Sequence, residues 1–266
     1  MSQLQDLRLA VLVDADNIPK KCIKAVMEEL AVYGTPTIKR IYGDWTSQQL
    51  SNMKQLLLEC ALTPIQQYAY TVGKNSTDSA MIIDAMDILY SGNVDGFCLV
   101  SSDSDFTRLA TRLREAGMKV IGVGEKKTPM PFIVACDKFI YVEVIKTAKE
   151  EEAKQDKAKQ TKTASKTAKK DTTKPAESQP EQKKRFVPEN VVELIADSVA
   201  AIAEEDGFAS LSDLGNLLIK KQPDFDPRNF GFSKLTNLVK SQSRFQLETR
   251  PDNNYVKDLL AESDDE

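Results

Sequence analysis

Four short stretches of the chain carry acids where chemistry would need them. Asp14 and Asp16, with Asn17 beside them, close an apolar run from Leu9 to Val13. Asp78 follows Thr77 at the opening of a helical pattern, and Asp84 lies six residues further on. Asp103 and Asp105 close a second apolar run that passes through Leu99 and Val100. Open α/β sheets place their chemistry at the carboxyl ends of such buried strands. Any one of these acids alone reads as readily as a helix N-cap or a first-turn acid facing the helix dipole. Gathered together without basic neighbours they would repel, and burying each costs several kcal/mol unless a cation offsets the charge. An all-oxygen donor set suits Mg²⁺ or Mn²⁺, not zinc. Such ions activate water for in-line displacement at phosphorus. The set is therefore read as a metal-dependent phosphodiester-cleaving centre.

Composition narrows the alternatives. The 266 residues include no histidine, which excludes Ser/Cys-His nucleophilic catalysis and disfavours zinc or iron sites. Cys22, Cys60, Cys98 and Cys136 are scattered with no Cys-x-x-Cys pair, the pattern of reduced, buried thiols in a cytoplasmic protein. No signal peptide is read at the start, and no apolar stretch approaches the roughly 20 residues of a membrane span. There is no glycine-rich phosphate loop of either the Walker or the dinucleotide type.

Positioning these acids calls for alternating strands and helices. Strands are expected at Arg8–Val13, Thr37–Tyr42, Pro64–Tyr68, Gly96–Ser101, Met118–Val123 and Phe139–Val142. Helices are expected from Ile18, over Ser47–Cys60, Ser76–Tyr90 and Asp105–Ala116. That alternation predicts an α/β fold, a doubly wound parallel sheet with helices on both faces. With strand order 3-2-1-4-5, strands one and four are neighbours at the switch point, and Asp14, Asp16, Asp103 and Asp105 face one another there.

The net charge of −4 hides a segregation. Residues 1–145 carry 15 Lys and Arg against 17 Asp and Glu; residues 146–187 carry 13 against 7, and residues 188–266 carry 8 against 16. The middle segment is lysine-rich and nearly devoid of large apolar residues, and is read as a disordered linker. Order is expected again over 188–258. There, three short helices and a hairpin joined across Pro251–Asn254 make a small winged helix-turn-helix, with an acidic tail after it at 259–266.

Two resemblances arise from the motifs. Val13-Asp-Ala-Asp-Asn17, Lys74-Asn-Ser-Thr-Asp78, the helix containing Asp84 and Ser101-Ser-Asp-Ser-Asp-Phe106 together resemble the NYN domain, a branch of the PIN-like nucleases. The resemblance covers about residues 5–145, within a domain set at 1–145, and implies that Asp14, Asp78, Asp103 and Asp105 are catalytic, metal-binding acids. Asn17 would orient the first acid or a phosphate. Asp16 and Asp84 are secondary candidates, since Asp84 lies about 600° around the helix from Asp78 and shares no face with it. Ser102 stands where the family commonly has glycine. Lys74 is a candidate phosphate contact and Trp45 a candidate base-stacking residue. The second resemblance lies in Ser210-Leu-Ser-Asp-Leu214 and Pro223 through Leu238, which is similar to a LOTUS (OST-HTH) domain. Such domains bind RNA or protein partners. Candidate contacts are Lys220, Lys221, Arg228, Asn229, Lys234 and Lys240, with the linker lysines adding a salt-sensitive attraction.

The combined expectation is a cytoplasmic endoribonuclease on single-stranded or structured RNA, using Mg²⁺ or Mn²⁺ to activate water, with no membrane association. Two other classes fit parts of the pattern. Asp14-Ala-Asp16 after a strand is the nucleophile pattern of haloacid-dehalogenase-like phosphatases, although Asn17 and Ile18 depart from it. The third class is a non-catalytic RNA-binding or scaffold protein.

Overall fold

The computed structural model describes residues 7–48, 50–68, 76–149, 186–251 and 253–261. The chain divides into two compact units, the first Met1–Lys146 with Ile219–Asp224 and the second Thr147–Leu218 with Phe225–Glu266.

The first unit is built on six parallel strands: β1 (Arg8–Asp14), β2 (Thr35–Gly43), β3 (Thr63–Gln66), β4 (Gly96–Val100), β5 (Lys119–Gly124) and β6 (Lys138–Tyr141), in the order β3-β2-β1-β4-β5-β6. The central strands β1 and β4 are apolar and buried on both faces, as a sheet covered on both sides requires. Alternate residues divide them between two cores. Leu9, Val11, Val13, Cys98 and Val100 share one core with Ile23, Val26 and Leu30 of α1 (Ile23–Leu30). Leu56 and Leu57 of α2 (Lys54–Cys60) and Ile145 of α6 (142–149) pack there too. Ala10, Leu12, Tyr42, Phe97 and Leu99 share the other with Met81, Ala85 and Ile88 of α3 (Ser76–Ser91). Leu109, Ala110 and Leu113 of α4 (Thr107–Glu115), and Phe132 and Ile133 of α5 (Met130–Ala135), complete it.

Two helices begin later than their apolar spacing predicts. Lys20–Cys22 is a 3-10 turn ahead of α1, because Pro19 takes an extended conformation (φ −64°, ψ 124°) before it. Ser51–Met53 is likewise a 3-10 turn ahead of α2. Helix α5 has no counterpart in the expectation. Its six residues are too few to show a helical period, and Pro129 and Pro131 break the pattern on which one would be read.

The C-terminal part of the chain contains α7 (Glu189–Ile202), α8 (Leu211–Lys221) and α9 (Leu235–Lys240) with strands β7 (Ala209–Ser210), β8 (Phe245–Thr249) and β9 (Asn254–Asp258). Strands β8 and β9 form the expected hairpin, and β7 pairs antiparallel to β9 to give a three-stranded sheet. Val191, Ile195, Val199, Leu214, Leu218, Phe225, Phe232, Leu238 and Val256 fill its core. The aromatic string from Phe225 to Phe232 thus builds the fold. Most of the 146–187 segment and the last five residues lie outside the described residues. Among the described residues no helix is long and apolar enough to cross a membrane.

Candidate active site

Strand β1 delivers Asp14 at its carboxyl end, in register with Tyr42 on β2. The Asp14 side chain is wholly buried. A buried carboxylate must be hydrogen-bonded to persist, and this one accepts from three donors. The Asp16 N–H reaches Oδ1 at 3.1 Å. The Asn17 amide and the Ser101 hydroxyl reach Oδ2 at 2.7 and 2.8 Å. Ser101, at the end of β4, also accepts the N–H of Asp103 at 3.1 Å. The tips of β1 and β4 are therefore tied through one hydroxyl.

Beyond Ser101 the chain makes a 3-10 turn, Ser104–Phe106, that leads into α4. Asp103 caps this turn, its Oδ1 accepting the Asp105 N–H at 2.9 Å. Phe106, fully buried, anchors it to the core. From the other side α3 starts at Ser76 and presents Asp78 in its first turn, where the helix dipole favours an acid. Oxygens of Asp78, Asp103 and Asp105 lie within 4.8 Å of one another. Asp78 is 9% exposed, Asp103 half-buried and Asp105 exposed, so the group opens from the sheet edge to solvent. Burial first, and then the charges of Asp14, Asp103, Asp105 and Asp16, raise the Asp78 carboxyl to about 6. Asp14 and Asp16 therefore act on the same site electrostatically, although neither belongs to the three-oxygen group.

The donor set fits a hard divalent cation. Ligand oxygens stand about 2.0–2.6 Å from Mg²⁺ or Ca²⁺, so oxygens under 5 Å apart need only small side-chain rotations to share one ion. Burial raises Asp78 most, and the further rise from its acidic neighbours is repulsion that a cation relieves.

Asp84 stands elsewhere. Its carboxylate accepts from the Arg40 guanidinium and the Tyr42 hydroxyl, both on β2. Burial, together with the Asp84 carboxylate, pushes the buried Tyr42 phenol upward. The cluster holds α3 against the sheet, and so fixes where Asp78 arrives. Trp45 is half-buried against the core on the α1 side, its indole N–H donating to Ile65 O at 3.0 Å. Asn17 is committed to Asp14. Lys74 lies outside the described residues.

Among the C-terminal elements, Lys220, Lys221, Lys234 and Lys240 are exposed. Arg228 instead forms a two-point ion pair with Asp226 within the 3-10 turn Pro227–Phe230. Sequence reasoning did not single out Ser101, Arg40 or Tyr42. The first sat in plain view inside the Ser-Ser-Asp motif; the others carry no local signal.

Comparison with known proteins assigns the two parts of the chain to families. The NYN domain profile matches residues 8–143, a span that runs from β1 to just past β6 and holds all the acids of the site. The chain belongs to the NYN domain family. The OST-HTH/LOTUS profile matches residues 182–257, the span that holds α7 to α9 and the three-stranded sheet. NYN domains lie within the PIN-like nuclease superfamily, whose members generally use divalent metals. An uncharacterized protein of Methanocaldococcus jannaschii is 27% identical over 121 residues, 44% of this chain and 47% of its own length. The chain thus spans about half the length of that curated relative. Among solved structures, a Vibrio parahaemolyticus protein of unknown function aligns at TM-score 0.43 and 20% identity, covering 52% of this chain and 94% of its own. An uncharacterized Nitrosomonas europaea protein aligns at TM-score 0.27 and 29% identity, covering 35% and 93%.

Proposed function

We propose that this NYN–LOTUS chain is a cytoplasmic endoribonuclease that depends on Mg²⁺ or Mn²⁺. The observation that carries the reading is the meeting of Asp78, Asp103 and Asp105 oxygens within 4.8 Å at the carboxyl edge of a parallel sheet. These three side chains would hold the ion, with Asp14 and Asp16 adding negative charge behind them. When bound, the ion supplies charge neutralisation at a phosphodiester and a lowered pKa for attacking water. Ser101 and Asn17 keep the Asp14 carboxylate fixed, and through Ser101 the Asp103 loop. The LOTUS domain, through Lys220, Lys221 and Lys234, and the lysine-rich segment would retain RNA near the site. Trp45 and Lys74 are the remaining candidates for substrate contact in the NYN domain.

The phosphatase alternative needs Asp14 as an attacking carboxylate. An acid with no exposed surface and three hydrogen-bond donors is poorly presented for that role. The scaffold alternative is separated by assay. Asp78→Asn and Asp103→Asn variants of the full chain should keep their circular dichroism spectra and lose Mg²⁺- or Mn²⁺-dependent cleavage of labelled RNA. Undiminished cleavage by either variant sinks the reading. Absence of cleavage in the wild type with any divalent ion favours the scaffold.

A further inference from the structure

A nuclease site made of acids repels the polyanion it must cut, and the NYN unit has a slight excess of acids overall. Cations close to the acids are therefore needed to seat the backbone. We infer, on the nuclease reading above, that Arg108 and Lys126 are the residues that hold the RNA phosphates flanking the scissile one.

Arg108 comes three residues after Asp105 where the 3-10 turn passes into α4, so the two share a helix face about 5–6 Å apart at Cβ. The direction of that face is fixed at both ends. Asp105 meets Asp78 of α3 at one end. Arg112, a further turn along, donates to the Tyr90 hydroxyl of α3 at 3.2 Å at the other. Arg108 therefore lies on the α3 side of α4, one turn from the acid group, and its side chain is exposed. It makes no ion pair with a described residue.

Lys126 stands in the loop after β5, next to β4 in the sheet. That loop is pinned to the acid-bearing loop. The Glu125 N–H donates to Ser102 Oγ at 2.9 Å, and Thr128 Oγ1 donates to Glu125 O at 2.6 Å. The Lys126 N–H itself donates to Glu143 Oε1 at 3.2 Å. Gly124 lets the backbones close up, since a Cβ there would stand 2.7 Å from Ser101 O. Of the two lysines in the loop, Lys127 is committed to Glu125 at 2.6 Å. Lys126 is exposed, carried on a fixed backbone, and has no ion pair with a described residue. The two cations thus bracket the acid-bearing loop after β4, Arg108 from the α3 side of α4 and Lys126 from the loop after β5. An RNA strand seated there crosses the sheet edge over β4, with its phosphates alternating between cation and metal site.

The test uses the full chain with Arg108→Ala, Lys126→Ala, both together, and Lys119→Ala as an equal charge removal at the opposite sheet edge. Binding of a fluorescein-labelled 12-nucleotide single-stranded RNA is followed by anisotropy in EDTA between 50 and 200 mM salt. Each site variant should flatten the plot of log affinity against log salt by about 0.7, and the pair by about 1.4. In the cleavage assay the pair should raise KM roughly tenfold with kcat little changed, and Mn²⁺ affinity should stay at the wild-type value. Salt slopes equal to wild type, or a loss matched by Lys119→Ala, overturn the inference. So does tighter Mn²⁺ binding by Arg108→Ala with unaltered RNA affinity, which would make Arg108 a screen for the acids. Because the slope is measured without metal, it stands or falls separately from the nuclease reading, which fails if wild-type protein cuts no RNA.

Discussion

The Ser101 hydroxyl donates to Asp14 Oδ2 at 2.8 Å while its oxygen accepts the Asp103 N–H at 3.1 Å. One side chain thus sets the separation of two acids that lie 89 positions apart in sequence. Ser101→Ala leaves a buried carboxylate short of a donor and a loop short of an acceptor. Stability should fall by about 1–3 kcal/mol in urea denaturation, and divalent-dependent cleavage should fall with it. A variant as stable and as active as wild type would show that the tie is dispensable.

Asp78 gives a pH dependence whose sign can be worked out. Its carboxyl is raised from 3.8 to about 6 by burial and neighbouring acids, so the folded state binds this proton more tightly than the unfolded chain does. The metal-free protein should therefore lose stability as pH rises from about 4 to 6, on the order of 2–3 kcal/mol from this group, and level off above. Asp78→Asn should remove most of that slope and be the more stable protein at pH 8 in EDTA, as thermal melts across pH will show.

A bound cation competes with the same proton. Mn²⁺ affinity should strengthen as pH rises toward 6 and then flatten, with close to one proton released per ion at pH 5. Titration calorimetry in two buffers of different ionisation enthalpy measures this directly. Affinity indifferent to pH across that range would place the ion away from Asp78.

The Arg40–Asp84–Tyr42 cluster predicts a different phenotype for an acid on the same helix. Asp84→Ala strands a partly buried guanidinium and a buried phenol, and should cost about 3 kcal/mol of stability. Metal stoichiometry should be unchanged, whereas Asp78→Ala loses the ion and keeps the fold. Loss of Mn²⁺ binding by a well-folded Asp84 variant would make it a ligand after all.

Arg228 makes a parallel case in the LOTUS unit. Its guanidinium already grips Asp226, so Arg228→Ala should lower stability by about 1 kcal/mol and leave RNA affinity in place. Replacing Lys220, Lys221 and Lys234 with alanine should do the reverse, as anisotropy and melting curves together will tell.

The sheet and the ends of its central strands were readable because burial on both faces forces unbroken apolar runs, and the runs stop at the acids. Strand order was not readable in the residues and was carried over from the fold class; the sheet does place β1 and β4 side by side. Contacts between distant side chains had no such signature. Tyr42 and Asp84 are 42 positions apart, and nothing in the spacing of either predicts that a phenol on β2 meets an acid on α3. Helix α5 and strand β7 escaped because six and two residues are too few to show a period. Arg228 read as a surface cation because its partner two residues earlier is equally at home as a helix cap, which it also is.

The three oxygens that meet at the sheet edge come from residues 78, 103 and 105. A growing polypeptide therefore possesses no complete centre until β4 and the turn after it have emerged from the ribosome and docked beside α3. Whatever the acids do together, they begin only after about the first 105 of the 266 residues have been made.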